Sequence, residues 1–125
     1  MTSSERPPAI IAGHGEFAAG VRSAVEQIAG RADHFVAVSN AGLGPGEIEA
    51  ELRRVVAETG ARVIFTDLPA GSCTIAARRL LRDDPSLTLV TGAALPTVLS
   101  YACGCDVAKA VEQGRTAIGV VEGGR

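Results

Sequence analysis

The stretch Pro8-Ala9-Ile10-Ile11-Ala12-Gly13-His14-Gly15-Glu16-Phe17 decides how the rest of the chain is read. Its apolar first half reads as a β-strand. Phe17, Val21, Ala24, Val25 and Ile28 then recur at helical spacing on one face. A strand, a glycine-flanked loop and a helix make the opening unit of a parallel sheet, with His14 at the carboxyl end of the strand. Ligands of open α/β sheets bind at that end. Glycine on either side lets the backbone turn tightly and leaves the ring uncrowded. Histidine is the side chain that changes charge near neutral pH, and it can act as a nucleophile.

The same alternation continues outward from this unit. A second strand is expected over 34–38, followed by a Gly/Pro-rich loop over 40–46. The next helix, over 47–58, turns Ile48, Leu52, Val55 and Val56 inward and stops at Thr59-Gly60. A third strand over 63–66 runs into Asp67-Leu68-Pro69-Ala70-Gly71-Ser72 and a helix over 73–82. A fourth strand over 87–90 ends at Thr91-Gly92. Pro96 suits the first turn of a helix ending near 102, and Asp106 is a candidate N-cap for a last helix over 107–117. Ile118-Gly119-Val120-Val121 is a candidate fifth strand. The fold class that follows is α/β: a mainly parallel open sheet of four strands, with that candidate fifth, and helices on both faces. Residues 1–7 read as a flexible N-terminal tail and 8–122 as a single domain.

Composition agrees with this class and narrows the function. The chain has 125 residues, so one core is expected rather than two. Aromatics are 3% and Trp is absent, so the core must come from Val, Ile, Leu and Ala, as parallel sheets under Ala-rich helices require. The net charge is -2, and the adjacent basic pairs Arg53-Arg54 and Arg78-Arg79 fall on solvated helix faces; no nucleic-acid partner is expected. No apolar run is long enough to span a membrane, and the polar, Pro-containing start lacks a secretory core, so a cytoplasmic address is expected. Three cysteines make a disulfide framework improbable. Cys103-Gly104-Cys105 lacks the further ligands a zinc site needs, and Cys73 reads as a small packed side chain, so no metal is expected. His34 begins a strand and faces a loop. Gly42-Leu43-Gly44-Pro45-Gly46 has the glycines of a phosphate loop without its Gly-Lys-Ser/Thr.

Three strand ends then converge: His14 after the first strand, Asp67 after the third and Thr91-Gly92 after the fourth. If the first and third strands are neighbours, the Asp67 carboxylate reaches one ring nitrogen of His14, fixes its tautomer and leaves the other nitrogen free to attack. Asp67 could equally be a turn residue before Pro69. Gly71-Ser72 opens a helix whose N–H groups and dipole favour an anion such as phosphate; Ser72 could also be the N-cap. Histidine, carboxylate and anion cradle together suggest phosphoryl transfer through phosphohistidine, with no metal or organic cofactor.

At these residues the chain also resembles a known family. Gly13-His14-Gly15-Glu16-Phe17-Ala18 with Gly20, Thr66-Asp67-Leu68-Pro69-Ala70-Gly71-Ser72, and Val90-Thr91-Gly92-Ala93-Ala94-Leu95-Pro96 are similar to the signature segments of the mannose-family enzyme IIA domains of the bacterial phosphoenolpyruvate-dependent sugar phosphotransferase system. The resemblance runs from about Pro8 to Cys103. It implies a parallel sheet flanked by helices, in a domain that often dimerises through its C-terminal part. It also implies a phosphocarrier that takes a phosphoryl group from the protein HPr on His14, with Asp67 as hydrogen-bonding partner, and passes it to a IIB component. Membranes would be met only through the transporter partners. The chain departs from the family pattern at Ala70, where glycine is usual, and at Cys73, Ala94 and Thr97, where proline, Asn and an apolar residue are common. If the first glycine is needed for positive φ, alanine there strains the loop. The altered loop motivates an alternative: a regulatory sensor of phosphorylation state with the same fold and no transport role. A small α/β hydrolase or nucleotide binder lacks a complete motif.

Overall fold

Residues 6–124 are described by a computed structural model of the chain. Strands and helices alternate in the order β1 (Ala9–Gly13), α1 (Phe17–Ala29), β2 (Phe35–Ser39), α2 (Pro45–Thr59), β3 (Val63–Thr66), α3 (Ser72–Asp83), β4 (Thr88–Val90), α4 (Leu95–Ala102) and α5 (Val107–Ala117). The four strands form one parallel sheet in the order β2-β1-β3-β4. Strand order therefore reverses between β1 and β3, the switch point at which open α/β sheets leave a crevice. His14 follows one of these strands and Asp67 the other.

The two central strands, β1 and β3, are buried on both sides, as the lack of polar alternation in Ala9-Ile10-Ile11-Ala12 requires, while the edge strands β2 and β4 are only partly covered. Ala9 and Ile11 join a core made with Ala18 and Val25 of α1, Val98 of α4 and Ala110 of α5. Ile10 and Ala12 point the other way, into a core made with Ile48 and Leu52 of α2 and Ala77 and Leu80 of α3. The scarce aromatics are concentrated rather than spread. Phe35, Phe65 and Tyr101 meet with centroid separations of 5.2–6.4 Å, two of the three pairs edge-on. Arg6 lies 3.9 Å over the Tyr101 ring and donates to the carbonyls of Tyr101 and Cys105, a cation placed at the negative end of α4. Of the expected tail, residues 1–5 lie outside the described residues, while Arg6 is held by these contacts.

Helix starts follow local chemistry. Asp106 caps α5 as expected, its Oδ1 accepting the Lys109 N–H at 2.8 Å. α2 begins two residues earlier than its apolar pattern suggests, because Pro45 occupies the first turn and Glu47 Oε1 accepts the N–H of Gly44. The candidate fifth strand does not form. Residues 118–121 carry no strand, and Ile118, Val120 and Val121 are 81%, 87% and 88% exposed. A strand needs an adjoining edge to take its hydrogen bonds, and this segment meets none among the described residues. An apolar, β-branched composition was the only signal for it.

Candidate functional site

His14 stands just past the end of β1, and both neighbours of β1 supply groups that hold it. From β3, Asp67 uses a single oxygen twice: Oδ2 accepts the backbone N–H of His14 at 2.9 Å and lies 2.8 Å from its Nδ1. An ionised carboxylate only accepts, so Nδ1 carries a proton toward it, and in the neutral imidazole the lone pair is then on Nε2. The imidazole side chain is 47% exposed and the carboxylate 11%, so the pair has a wet face and a dry one. Burial raises the pKa of Asp67, but the two hydrogen bonds from His14 and the charge of its ring together hold it below the ordinary aspartate value. Asp67 is thus an anion at neutral pH. It is not merely the turn residue before Pro69.

Glycine is required beside the pair for space. A Cβ on Gly13 would fall 2.6 Å from Phe17 Cδ2 and 3.0 Å from both Cγ and Oδ2 of Asp67. One on Gly71 would fall 2.9 Å from His14 Cε1. The N-terminus of α3 therefore abuts the edge of the ring that carries Cε1. Gly71, with φ -77° and ψ 175°, is the N-cap of that helix. This corrects the reading of Ser72 as N-cap: Ser72 is the first helical residue, and its hydroxyl caps nothing. Its Oγ is buried with no hydrogen-bond partner among the described residues, and so is Oδ1 of Asp67. Both are polar atoms that the fold buries without satisfying.

Several sequence expectations change here. Ala70 carries no strain, since no residue other than glycine has positive φ among the described residues. Thr91-Gly92 lines a cleft to which neither His14 nor Asp67 contributes. Ala94, Thr97 and Arg115 also line this cleft of about 180 Å³, and the strand end is tied to β3 through the Ala93 N–H and Thr66 carbonyl at 2.8 Å. Cys73 is fully buried, and burial, with the Asp67 charge second, pushes its thiol up, as suits a packed side chain. Cys103 and Cys105 are unlinked. Among the described residues no three His, Cys, Asp or Glu side chains gather to hold a metal ion. No described helix is long and apolar enough to cross a membrane.

Other residues of the site were not anticipated. Thr66 and Thr74 are fully buried, their hydroxyls 2.7 Å apart, and Thr74 donates to the carbonyl of Leu68. These bonds stitch the 66–72 loop to α3. From β2, the Ser39 hydroxyl donates to the Gly15 carbonyl at 2.9 Å, and Asn40 Oδ1 accepts the Gly15 N–H at 3.3 Å. Both lie at a strand's carboxyl end, which is a signal, but one that strand order alone turns into proximity.

Comparison with known proteins bears on the fold that carries these residues. The chain superposes on a mannose/sorbose-specific IIA subunit of the phosphotransferase system from Enterococcus faecalis with a TM-score of 0.81, at 21% identity over 94% of this chain and 96% of that one. It is also similar to a phosphotransferase-system IIA protein associated with the fucose utilization operon of Streptococcus pneumoniae, with a TM-score of 0.83 and 21% identity over 92% and 93% of the two chains. A phosphotransferase-system component EIIA from Streptococcus agalactiae gives 0.73, with 23% identity over 88% and 90%. A comparison with curated protein sequences gives no match. Residues 9–117, from the first residue of β1 to the last of α5, match the profile of the phosphotransferase-system fructose IIA component, and the chain belongs to that family.

Proposed function

We propose that the protein is a cytoplasmic phosphocarrier of a sugar phosphotransferase system, accepting a phosphoryl group from HPr on His14 and passing it to a IIB component. The observation that carries this reading is the 2.8 Å contact between His14 Nδ1 and Asp67 Oδ2, which in the neutral ring makes Nε2 the free nitrogen of a half-exposed imidazole. In the transfer, the Nε2 lone pair forms a bond to phosphorus as the donor's own P–N bond breaks. No proton has to leave His14 first. The positive charge that develops on the ring is matched by the Asp67 carboxylate, which stays ionised. The backbone N–H groups opening α3 at Gly71 and Ser72 are the candidate binders of the phosphoryl oxygens, since the helix start there abuts the ring and its polarity favours negative charge. Aligning donor and acceptor atoms and screening the charge is most of what phosphoryl transfer demands of a protein. The reaction calls on no metal or organic cofactor of this chain, and the protein meets a membrane only through its transporter partners.

A homodimer belongs to the same reading. Ile118, Val120 and Val121 are exposed beyond α5, and among the described residues nothing pairs with the outer edge of β4, so a second copy has both apolar surface and strand edge to cover.

The test is reconstitution. With phosphoenolpyruvate, enzyme I and HPr, the chain should take up one acid-labile, base-stable phosphoryl group, and His14→Ala should take up none while keeping its fold. Added IIB should then remove the label. Label that enters and never leaves would favour the regulatory reading, and no labelling of the wild-type chain would sink the proposal.

A further inference from the structure

Asp67 fixes His14 from the β3 side, but the loop that carries His14 is also held from β2, by residues to which no role has been given. Gly15 is the loop's weakest point. It sits at φ +53°, and nothing lies within 4 Å of where a Cβ would be, so no packing locates it. Its two polar groups are both taken by consecutive residues leaving β2. The Ser39 hydroxyl donates to the Gly15 carbonyl at 2.9 Å, and Asn40 Oδ1 accepts the Gly15 N–H at 3.3 Å. The Ser39 oxygen in turn accepts the Ala41 N–H at 3.1 Å, which leaves its proton for Gly15. The Asn40 N–H donates to the Gly13 carbonyl at 3.1 Å, on the other side of His14. His14 itself gives its carbonyl to the Phe17 N–H at 3.0 Å.

We infer that Ser39 and Asn40 are positioning residues for the His14 imidazole, holding the backbone on either side of it as Asp67 holds the ring. This rests on the phosphoacceptor reading above. Neither side chain bonds the ring, so neither is a catalytic residue. Their effect passes through the two peptides around Gly15, whose orientation sets the line along which Nε2 meets phosphorus. Displacements on the order of 1 Å in such alignments cost on the order of 100-fold in rate. The expected signature is a loss in turnover at saturating donor with the donor's KM unchanged.

The experiment measures phosphoryl transfer from phosphorylated HPr to Ser39→Ala, Asn40→Ala, the double variant, and the conservative pair Ser39→Thr and Asn40→Asp. Thermal unfolding and ¹⁵N NMR of the His14 ring in the unphosphorylated chain are read alongside. We expect kcat to fall about 10- to 100-fold in the double variant, with KM within about twofold. Ser39→Thr and Asn40→Asp, which keep the donor and the acceptor, should stay within about threefold of wild type. The ring signals should broaden or split in the alanine variants. Wild-type turnover in both single alanine variants, or a loss confined to KM, overturns the inference. So does an equal loss in the conservative variants, which would indicate a general structural role. If the wild-type chain accepts no phosphate, the phosphoacceptor reading fails instead, and unchanged ring signals in the alanine variants overturn the positioning by itself.

Discussion

One oxygen of Asp67 holds His14 at two places, its backbone N–H at 2.9 Å and its ring Nδ1 at 2.8 Å. Backbone and ring are thus locked to the same point, and the rotation of the imidazole about its side-chain bonds is set by the end of the neighbouring strand. Asp67→Asn keeps the shape but removes the charge and admits the tautomer with the proton on Nε2. We expect phosphoryl uptake to fall by about 10²- to 10⁴-fold. The fold should survive with a loss of about 1–2 kcal/mol, measured by urea unfolding beside the rate of labelling.

The same carboxylate makes stability depend on acid. Burial pushes its pKa up, but the His14 hydrogen bonds together with the smaller electrostatic and backbone contributions hold it below the ordinary aspartate value. A group depressed in the folded state contributes stability above its unfolded pKa and loses that contribution as pH falls through its folded one. The difference in unfolding midpoint between wild type and Asp67→Asn should therefore be steady near pH 5 and shrink below about pH 4. A difference that grew on acidification would contradict the direction of the shift.

Gly71 separates function from stability. Its backbone, at φ -77° and ψ 175°, accepts any residue, but a Cβ would lie 2.9 Å from His14 Cε1. The ring, being the far end of a side chain, moves rather than the helix. Gly71→Ala should unfold within about 1 kcal/mol of wild type and accept phosphate about 10- to 100-fold more slowly. Paired melting and labelling curves check both halves.

Gly114 gives the opposite pattern. An alanine Cβ there would stand 1.8 Å from Thr97 Oγ1 and 3.1 Å from Thr97 Cβ, where α5 crosses α4. Replacing a helical glycine by alanine ordinarily gains about 1 kcal/mol. Here we expect a loss of about 1–3 kcal/mol from overpacking. Thr97→Ala in the same chain should recover most of it, giving a coupling energy of at least about 1 kcal/mol in a double-mutant cycle.

How much of this was legible beforehand depends on whether the signal was local. The strand-loop-helix unit around His14, the Asp106 cap and the bounds of α5 rest on periodicity and on side chains bonding three residues away, and they appear as read. The His14–Asp67 pair was conditional on β1 and β3 being neighbours, which they are. Ser39 and Asn40 escaped because the adjacency of β2 to β1 is a property of the sheet and not of the residues. The Thr66–Thr74 bond escaped because threonine in a strand and in a helix carries no mark of its partner. The alternative of Ser72 as N-cap rests on residue type alone, and Gly71, with no side chain, holds the cap position by backbone conformation. Ile118-Gly119-Val120-Val121 had strand composition and no edge to join.

The imidazole that closes β1 is half open to solvent, on a rim rather than in a recess. A phosphoryl group carried on a half-exposed ring stays within reach of water, so hydrolysis competes with hand-over from the moment of loading. Retention of the charge would then be a matter of kinetics, with the lifetime of the nitrogen–phosphorus bond as the clock against which the next protein must arrive.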